Sequence, residues 1–312
     1  MPHRRDDVEF DSDGVTLRGW HYAPAGLQAR APIVVMCHGF AAVKEMCLDR
    51  YAEAFASAGC HVLCYDNRGL GASDGEPRGD LNPWQQVDDM RNAITFAEAL
   101  PGVDADRVAV WGSSYSGGHV LVVGAQDRRV KCVLAQVPVV NVDANFRHMV
   151  RADRVGRAKR SFEADRRSRA AGHPPRRVKV VDPDPTAPAV LPTPDAWAWF
   201  SETSAAGAPA FVNQCTLRSA ERFSEYLPGA YVRLISPTPL LMCVATEDWV
   251  TPTRLAVESF ESALEPKELH LFEGGHFDAY GKAFDGVIHV QLAFLGRHLG
   301  LRSSESEAAA FR

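Results

Sequence analysis

Trp111-Gly112-Ser113-Ser114-Tyr115-Ser116-Gly117-Gly118 joins a short apolar run at 107–110 to a second run at 119–123 that is typical of a helix. A strand, a turn of small residues around a central serine and then a helix are the context of a nucleophile elbow. Such a turn holds the serine hydroxyl exposed, and the backbone N–H that follows it begins a donor site for an oxyanion. The stretch therefore predicts a nucleophilic serine at the end of a strand.

Ser114 is the candidate nucleophile within this turn. Gly112 lies two residues before it, and Ser116 stands two residues after it, where the usual Gly-x-Ser-x-Gly pattern has its second glycine. Serine is small, so the strand and the helix can still approach closely. Ser113 and Ser116 are the alternative nucleophiles, and a Gly/Ser-rich turn without any chemistry is the plainer alternative, because such short motifs recur by chance.

Strand and helix patterns alternate along most of the chain. Segments 8–10 and 15–22 flank the turn Asp11-Ser12-Asp13-Gly14 and predict a β-hairpin. Apolar strands are predicted at 32–37, 61–65, 107–111, 130–135, 240–245 and 268–272, and helices at 46–58, 83–100, 252–264 and 279–298. Continuous apolar strands separated by helices predict an α/β fold with a doubly wound, mostly parallel sheet that is covered on both faces.

The alternation stops near residue 141 and resumes near residue 236, so 141–235 is predicted to be an insertion without sheet. The insertion begins with the basic stretch 151–179, continues with a proline-rich section and ends with scattered aromatic residues. The basic stretch could attract a carboxylate, a phosphate or an acidic carrier protein, or it could form a solvated helix face. We predict a core made of 1–140 and 236–300 and a flexible tail at 301–312.

A serine nucleophile needs a histidine base and an acid that orients it. In doubly wound hydrolases the chain order is serine, acid, histidine. Asp248 comes just after the predicted strand 240–245, and His276 comes just after the predicted strand 268–272. Carboxyl ends of parallel strands meet at one edge of a sheet. The sequence therefore predicts a Ser114–Asp248–His276 triad.

Other residues compete for these roles. Glu247 and Asp143 are the rival acids, and Asp248 could instead cap the helix that follows it. Other histidines fall inside strand or helix patterns, where a structural role is expected: His61, His270 and His289.

His38-Gly39-Phe40 ends the predicted strand 32–37, where the second oxyanion donor is expected. The predicted oxyanion hole is the pair of backbone N–H groups of Phe40 and Tyr115. A histidine at position 38 is also compatible with a purely structural turn.

These features resemble the α/β-hydrolase superfamily over about residues 8–140 and 236–298. Tyr65-Asp66-Asn67-Arg68-Gly69-Leu70-Gly71-Ala72-Ser73-Asp74-Gly75 is similar to a scaffold loop that follows the fourth strand of that fold. The elbow, read through His119, resembles the dienelactone-hydrolase-like group, which includes polyketide-associated acyltransferases, thiohydrolases and plain esterases. The resemblance implies that 141–235 is a helical cap over the active site. Its aromatic residues would line the substrate pocket or form the cap's own core.

The leading functional prediction is a serine hydrolase that cleaves a carboxylic ester or thioester through an acyl-Ser114 intermediate. The same triad would serve an acyltransferase that moves the acyl group to an alcohol or amine. A non-catalytic ligand-binding protein is the alternative from another class, and the complete Ser-Asp-His set argues against it. The chemistry requires no metal and no organic cofactor.

Bulk composition is that of an ordinary globular protein, with 46% hydrophobic and 23% charged residues. The net charge of −5 gives no global attraction to nucleic acid or to an anionic membrane. The polar start Met1-Pro2-His3-Arg4-Arg5 lacks the apolar region of a signal peptide, and the chain has an odd number of cysteines, seven, most of them in apolar runs. We therefore expect a cytoplasmic enzyme with a small-molecule partner, and a homodimer is left open.

Overall fold

The computed structural model describes residues 3–26 and 29–301. Apart from Leu301, the predicted tail at 301–312 lies outside the described residues. The strands are β1 (His3–Ser12), β2 (Val15–Pro24), β3 (Ala31–Cys37), β4 (His61–Tyr65), β5 (Val103–Ser113), β6 (Val130–Gln136), β7 (Arg177–Val178), β8 (Cys215–Thr216), β9 (Leu240–Ala245) and β10 (Lys267–Phe272). The helices are α1 (Leu48–Ser57), α2 (Pro83–Glu98), α3 (Tyr115–Gln126), α4 (Val142–Met149), α5 (Ala152–Ala170), α6 (Pro194–Gly207), α7 (Leu217–Ser224), α8 (Val232–Ile235), α9 (Thr253–Ser262) and α10 (Phe284–Leu299).

Eight of these strands form one sheet in the order β1-β2-β4-β3-β5-β6-β9-β10. The pairs from β4 to β10 are parallel, and β2 joins the sheet antiparallel to β4. The predicted hairpin is present, since β1 and β2 pair from His3↔Pro24 to Ser12↔Val15. Asp13 and Gly14 turn the chain with φ values of 51° and 80°, as a two-residue hairpin turn requires. The predicted fold class is confirmed.

Side chains of β3 show why both faces of the sheet are covered. Ile33 and Val35 belong to one buried apolar cluster, whereas Val34 and Met36 belong to a second. Successive side chains of a strand point to opposite faces, so the two clusters are the two layers of core between sheet and helices. Every residue of β3, β4 and β9 is buried, which explains their unbroken apolar sequences.

Residues 141–235, called the insert below, leave the sheet after β6 and return to it at β9. The expectation that they contain no sheet was wrong in detail, because β7 and β8 pair antiparallel through Arg177↔Thr216 and Val178↔Cys215. Helices α4 to α8 make up most of the rest.

The final helix differs from its prediction as well. It begins at Phe284 instead of 279, because His276–Tyr280 forms a separate 3₁₀ turn. Within the described ranges, no helix is both long and apolar enough to cross a membrane.

Candidate active site

Ser114 stands alone between the end of β5 and the first residue of α3. Its backbone has φ 58° and ψ −113°. A non-glycine residue in this region carries roughly 1–3 kcal/mol of strain, which persists only where the surroundings fix it. Two hydrogen bonds fix it here: Ser114 N–H donates to Gln136 O at 2.9 Å, and Val139 N–H donates to Ser114 O at 2.9 Å. The strained turn projects the hydroxyl beyond the carboxyl edge of the sheet.

Two glycines allow the backbone to pack tightly around this turn. A Cβ atom at Gly112 would lie 2.1 Å from the carbonyl oxygen of Ser116, so the strand and the helix could not meet. A Cβ atom at Gly39 would lie 3.0 Å from Ser114 Cβ and 3.3 Å from Ser113 O. The loop after β3 comes this close to Ser114 because position 39 has no side chain, since a Cβ atom there would push its neighbours by a few tenths of an ångström.

The structure brings Ser114, His276 and Asp248 together in one line of hydrogen bonds. Ser114 Oγ lies 3.0 Å from His276 Nε2, and His276 Nδ1 lies 2.8 Å from Asp248 Oδ2. His276 is 2% exposed and Asp248 is 6% exposed. A carboxylate only accepts hydrogen bonds, so Nδ1 carries the imidazole proton and Nε2 is free to accept the serine proton.

Asp248 is itself held by its own loop. The backbone N–H groups of Val250 and Thr251 donate to Oδ1 at 2.9 and 2.7 Å. The Thr251 hydroxyl lies 2.8 Å from Oδ2 and 3.2 Å from His276 Nδ1. Sequence reasoning missed Thr251, for which the Asp-x-x-Thr spacing of a capped turn was the available signal.

The rival serines are engaged elsewhere. Ser113 Oγ lies 2.5 Å from Tyr280 Oη and accepts from Gln136 Nε2 at 3.3 Å. Ser116 Oγ donates to His38 O at 2.5 Å. In the described part of the chain, neither hydroxyl hydrogen-bonds to a histidine ring.

Neither rival acid hydrogen-bonds to His276 within the ranges that the structure describes. Asp143 is half-exposed on α4 and pairs with Arg147 at 2.7 Å, and the hydrogen bond from Arg147 lowers the pKa of Asp143. Glu247 is exposed, and its backbone N–H donates to Gly274 O at 2.8 Å. Asp248 is therefore the acid that contacts His276.

His38 fixes the loop that faces the elbow. Its Nε2 accepts from Asn67 N–H at 3.1 Å, so the proton is on Nδ1, which lies 2.9 Å from Gly39 O. Burial lowers the pKa of His38 and keeps the ring neutral. Among the described residues, no protein acceptor takes the backbone N–H of Phe40 or of Tyr115. Both N–H groups are thus free for a ligand.

The remaining histidine candidates lie outside this arrangement. His61 on β4 stacks on His21, with ring centroids 5.2 Å apart. His270 lies on β10 and His289 on α10. The described contacts include no hydrogen bond from any of them to Ser114, in keeping with the structural roles expected from the sequence.

A small pocket adjoins Ser114 and His276. Its free volume of about 20 Å³ would accommodate about one water molecule. The core and the insert both contribute to its wall: Gly39, Phe40, Ala42, Leu48, Leu191, Trp199, Phe200, Phe277 and Tyr280. The wall is almost entirely apolar, as the walls of ligand pockets usually are.

Neither a metal-binding cluster nor the basic helix is found at this pocket in the described residues. Within the described residues, no cluster of His, Cys, Asp and Glu side chains is arranged to hold a metal ion. Residues 152–170 of the basic stretch form α5, most of whose side chains are exposed. Arg169 pairs with Asp165 at 2.8 Å on α5, and Arg166 pairs with Glu221 on α7.

Comparison with known proteins agrees with this architecture. A family model described as alpha/beta hydrolase fold matches residues 32–283. The chain is 36% identical to polyketide transferase af380 of Aspergillus fumigatus over 305 residues, which cover 95% of this chain and 99% of the relative. It is 32% identical to thiohydrolase aneE of Aspergillus aculeatus, covering 93% of this chain and 92% of the relative.

Solved structures give the same result. The crystal structure of the alpha/beta hydrolase GrgF from a Penicillium species matches with a TM-score of 0.83 and 31% identity, covering 95% of this chain and 99% of that chain. These relatives carry the names of enzymes, and the prediction of an enzyme of the hydrolase or acyltransferase class is confirmed. The chain belongs to the α/β-hydrolase fold family.

Proposed function

We propose that this enzyme cleaves a carboxylic ester or thioester of a small molecule, with Ser114, His276 and Asp248 as its catalytic triad. The observation that carries the proposal is the 3.0 Å contact between Ser114 Oγ and His276 Nε2 at a strained strand-to-helix turn. Acyl transfer by serine requires a nucleophile that is hydrogen-bonded to a base, and a base that is oriented by an acid.

The reaction proceeds in two halves, acylation of Ser114 and hydrolysis of the acyl-enzyme. Ser114 Oγ attacks the acyl carbonyl while its proton passes to His276 Nε2, and the carbonyl oxygen becomes an oxyanion. The C–O or C–S bond then breaks, and His276 gives its proton to the departing alcohol or thiol. A water molecule next gives a proton to His276 and attacks the acyl-Ser114 ester, which releases a carboxylic acid and restores the serine hydroxyl.

Asp248 and the backbone supply the electrostatic support. The carboxylate holds the His276 ring in orientation and stabilises the imidazolium that forms in each half. The backbone N–H groups of Phe40 and Tyr115 would donate to the oxyanion, since neither has a protein acceptor among the described residues. This assignment is supported by the close approach of Gly39 to Ser114.

The insert is proposed to act as a cap on a core of 1–140 and 236–300. Leu191, Trp199 and Phe200 of the insert line the pocket together with the serine and the histidine. A wall contributed by the insert would set which acyl group is accepted and how much water is present. We further infer a reducing, cytoplasmic setting, in which the six buried free cysteines stay thiols.

Acyl transfer is the second candidate. The free volume beside Ser114 is about 20 Å³ in an apolar wall, so little water would reach an acyl-enzyme until the cap opened. A relative that is 36% identical is named a polyketide transferase. An alcohol or amine would then take the place of water in the second half of the reaction.

The test traps the acyl-enzyme. A chain-length series of p-nitrophenyl esters and acyl-coenzyme A thioesters is mixed with enzyme, quenched within milliseconds and digested, and the acylated residue is located by tandem mass spectrometry. Ser114→Ala should remove the adduct and lower turnover by at least about 1,000-fold. Ser116→Ala should keep the adduct on Ser114, and the exposed Ser262→Ala is the unperturbed control.

An adduct that persists on Ser113 or Ser116 in Ser114→Ala would overturn the proposal. Turnover that rises when an alcohol or amine is added, with the ester or amide as product, would identify acyl transfer. Turnover that depends on water alone would identify hydrolysis.

A further inference from the structure

Trp199 lies at the contact between the insert and the catalytic histidine turn. Helix α6 carries it onto Phe277 and Tyr280, with ring centroids 5.0 Å apart in both pairs. The ring planes of Trp199 and Phe277 differ by 23°, so the two are stacked. Phe277 directly follows His276, and the indole therefore forms a wall of the pocket beside the reacting atoms.

The indole N–H of Trp199 is buried and has no hydrogen-bond partner among the residues that the structure describes. A buried tryptophan N–H usually finds an acceptor, because an unmade hydrogen bond of this kind costs about 1–3 kcal/mol. The rings around the indole stack on it or pack against its edge, and offer no acceptor of their own in these contacts.

Other polar groups of the pocket wall are already engaged. Tyr280 Oη lies 2.5 Å from Ser113 Oγ, and His276 is bonded at both ring nitrogens. The other buried polar atoms that lack partners in the described ranges belong to residues that do not line the pocket, such as Tyr65 and Gln86. Trp199 is thus the pocket residue whose side chain has an unused donor.

We infer that the Trp199 indole N–H donates a hydrogen bond to an oxygen of the acyl chain other than the scissile carbonyl. This inference rests on the proposed function, in which the scissile oxygen takes the backbone N–H groups of Phe40 and Tyr115. A second oxygen, as a ketone or hydroxyl along the chain, would satisfy the indole. The substrate class is therefore an oxygenated acyl ester or thioester, and a plain hydrocarbon acyl chain is a poorer substrate.

Selectivity follows from the same contact. A site built to hydrogen-bond a substrate group discriminates against the analogue that lacks it, because the buried donor then stays unpaired. An apolar wall without such a donor discriminates between the two far less. The preference for the oxygenated chain should accordingly depend on one nitrogen atom of Trp199.

Trp199→Phe is the test, since phenylalanine keeps an aromatic ring against Phe277 and lacks the N–H. Substrates are octanoyl N-acetylcysteamine thioester and its 3-oxo, 5-oxo and 7-oxo forms, compared through kcat/KM. Wild type should prefer at least one oxo form over the octanoyl thioester by about tenfold or more. The variant should lose that preference, so that its kcat/KM for the same oxo form comes within about threefold of its kcat/KM for the octanoyl thioester.

Trp197→Phe is the matched control, because Trp197 lies on the same helix and does not line the pocket. It should keep the wild-type preference. The inference fails if wild type prefers none of the oxo forms, or if Trp199→Phe lowers kcat/KM equally for every thioester. In either case Ser114→Ala would still abolish turnover if the proposed function holds, so the two failures are distinguishable.

Discussion

The hydroxyl of Thr251 lies 2.8 Å from Oδ2 of Asp248, the same oxygen that faces the ring of His276. Thr251 is 3% exposed, and its hydroxyl also lies 3.1 Å from Val137 O at the end of β6. It therefore ties the acid loop after β9 to the neighbouring strand end. We expect Thr251 to position Asp248 without touching the substrate.

Replacing Thr251 by valine should lower kcat/KM by about tenfold and leave the fold intact. The change removes the hydroxyl at nearly constant volume, and a hydrogen bond to a charged group contributes about 1.5–3 kcal/mol. Steady-state kinetics across pH 5 to 9 would measure the effect. Thr238→Val is the control, because Thr238 precedes β9 at the end of the strand opposite to Asp248. Equal rates in wild type and Thr251→Val would contradict the positioning role.

Gly39→Ala should cut kcat by about 100-fold or more while the enzyme remains folded. The new methyl would lie 3.0 Å from Ser114 Cβ and 3.3 Å from Ser113 O, so the loop bearing Phe40 must move away. Loss of one oxyanion donor typically costs about 100- to 1,000-fold in kcat.

The matched control is Gly286→Ala on α10, where a Cβ meets nothing within 4 Å. It should keep wild-type kcat and raise thermal stability slightly, because alanine favours a helix over glycine. Circular dichroism of both variants separates misfolding from loss of the donor. A Gly39→Ala variant with normal kcat would argue against Phe40 N–H as an oxyanion donor.

The buried ring of His119 should make the free energy of unfolding depend on pH. Its ring is fully buried between Tyr226 Oη at 3.1 Å and Gln86 Oε1 at 3.0 Å, and burial lowers its pKa to about 3. The unfolded chain, with a histidine pKa of about 6.5, binds a proton that the folded ring does not take up between these values. Stability from this group is therefore lost as the pH falls below 6.5.

Urea unfolding at pH 7 and pH 5 would measure this loss. Between the two conditions wild type should lose about 2 kcal/mol more than His119→Gln, since 1.5 pH units correspond to about that energy for one proton. Parallel losses in the two proteins would show that His119 takes up its proton in the folded state. His21, whose pKa burial lowers to about 4, stays in both proteins and cancels in the comparison.

The parallel strands could be predicted from the sequence because each of them corresponds to a local apolar run. β4 and β9 have the bounds that their apolar runs predict, since a strand buried on both faces needs a continuous apolar sequence. The chain order of Ser114, Asp248 and His276 also placed three groups at strand ends, where the topology brings them together.

The remaining features depend on tertiary contacts that no local pattern encodes. The strands β7 and β8 of the insert are two residues each and are separated by more than thirty residues. Strands this short have no alternation of polar and apolar residues from which their pairing could be predicted. The Thr251 hydroxyl contacts Val137 O and His276 Nδ1, which lie far from it in the sequence, and Trp199 gains its role from the packing of α6 on Phe277. A single sequence does not report such long-range partners.

Asp80 joins the core to the insert through its carboxylate. It lies just before α2 and accepts from Arg218, Arg222 and Thr216, at 2.5, 3.0 and 2.6 Å for the closest atoms. Burial by itself would raise the pKa of Asp80, but the hydrogen bonds from Arg218 and Thr216 outweigh it and the pKa is lowered. The carboxylate is therefore ionised at neutral pH and holds α7 against the core.

Asp80→Asn should loosen the insert before it destabilises the sheet. The amide keeps the shape of the carboxylate and leaves two partly buried arginines without their counter-charge, at a cost of about 1–3 kcal/mol. Hydrogen exchange in α7 should become about tenfold faster or more, while β3 and β5 stay protected. Asp153→Asn, which removes an exposed pair with Arg151 inside the insert, is the control. Unchanged exchange in α7 would show that apolar packing alone holds the insert in place.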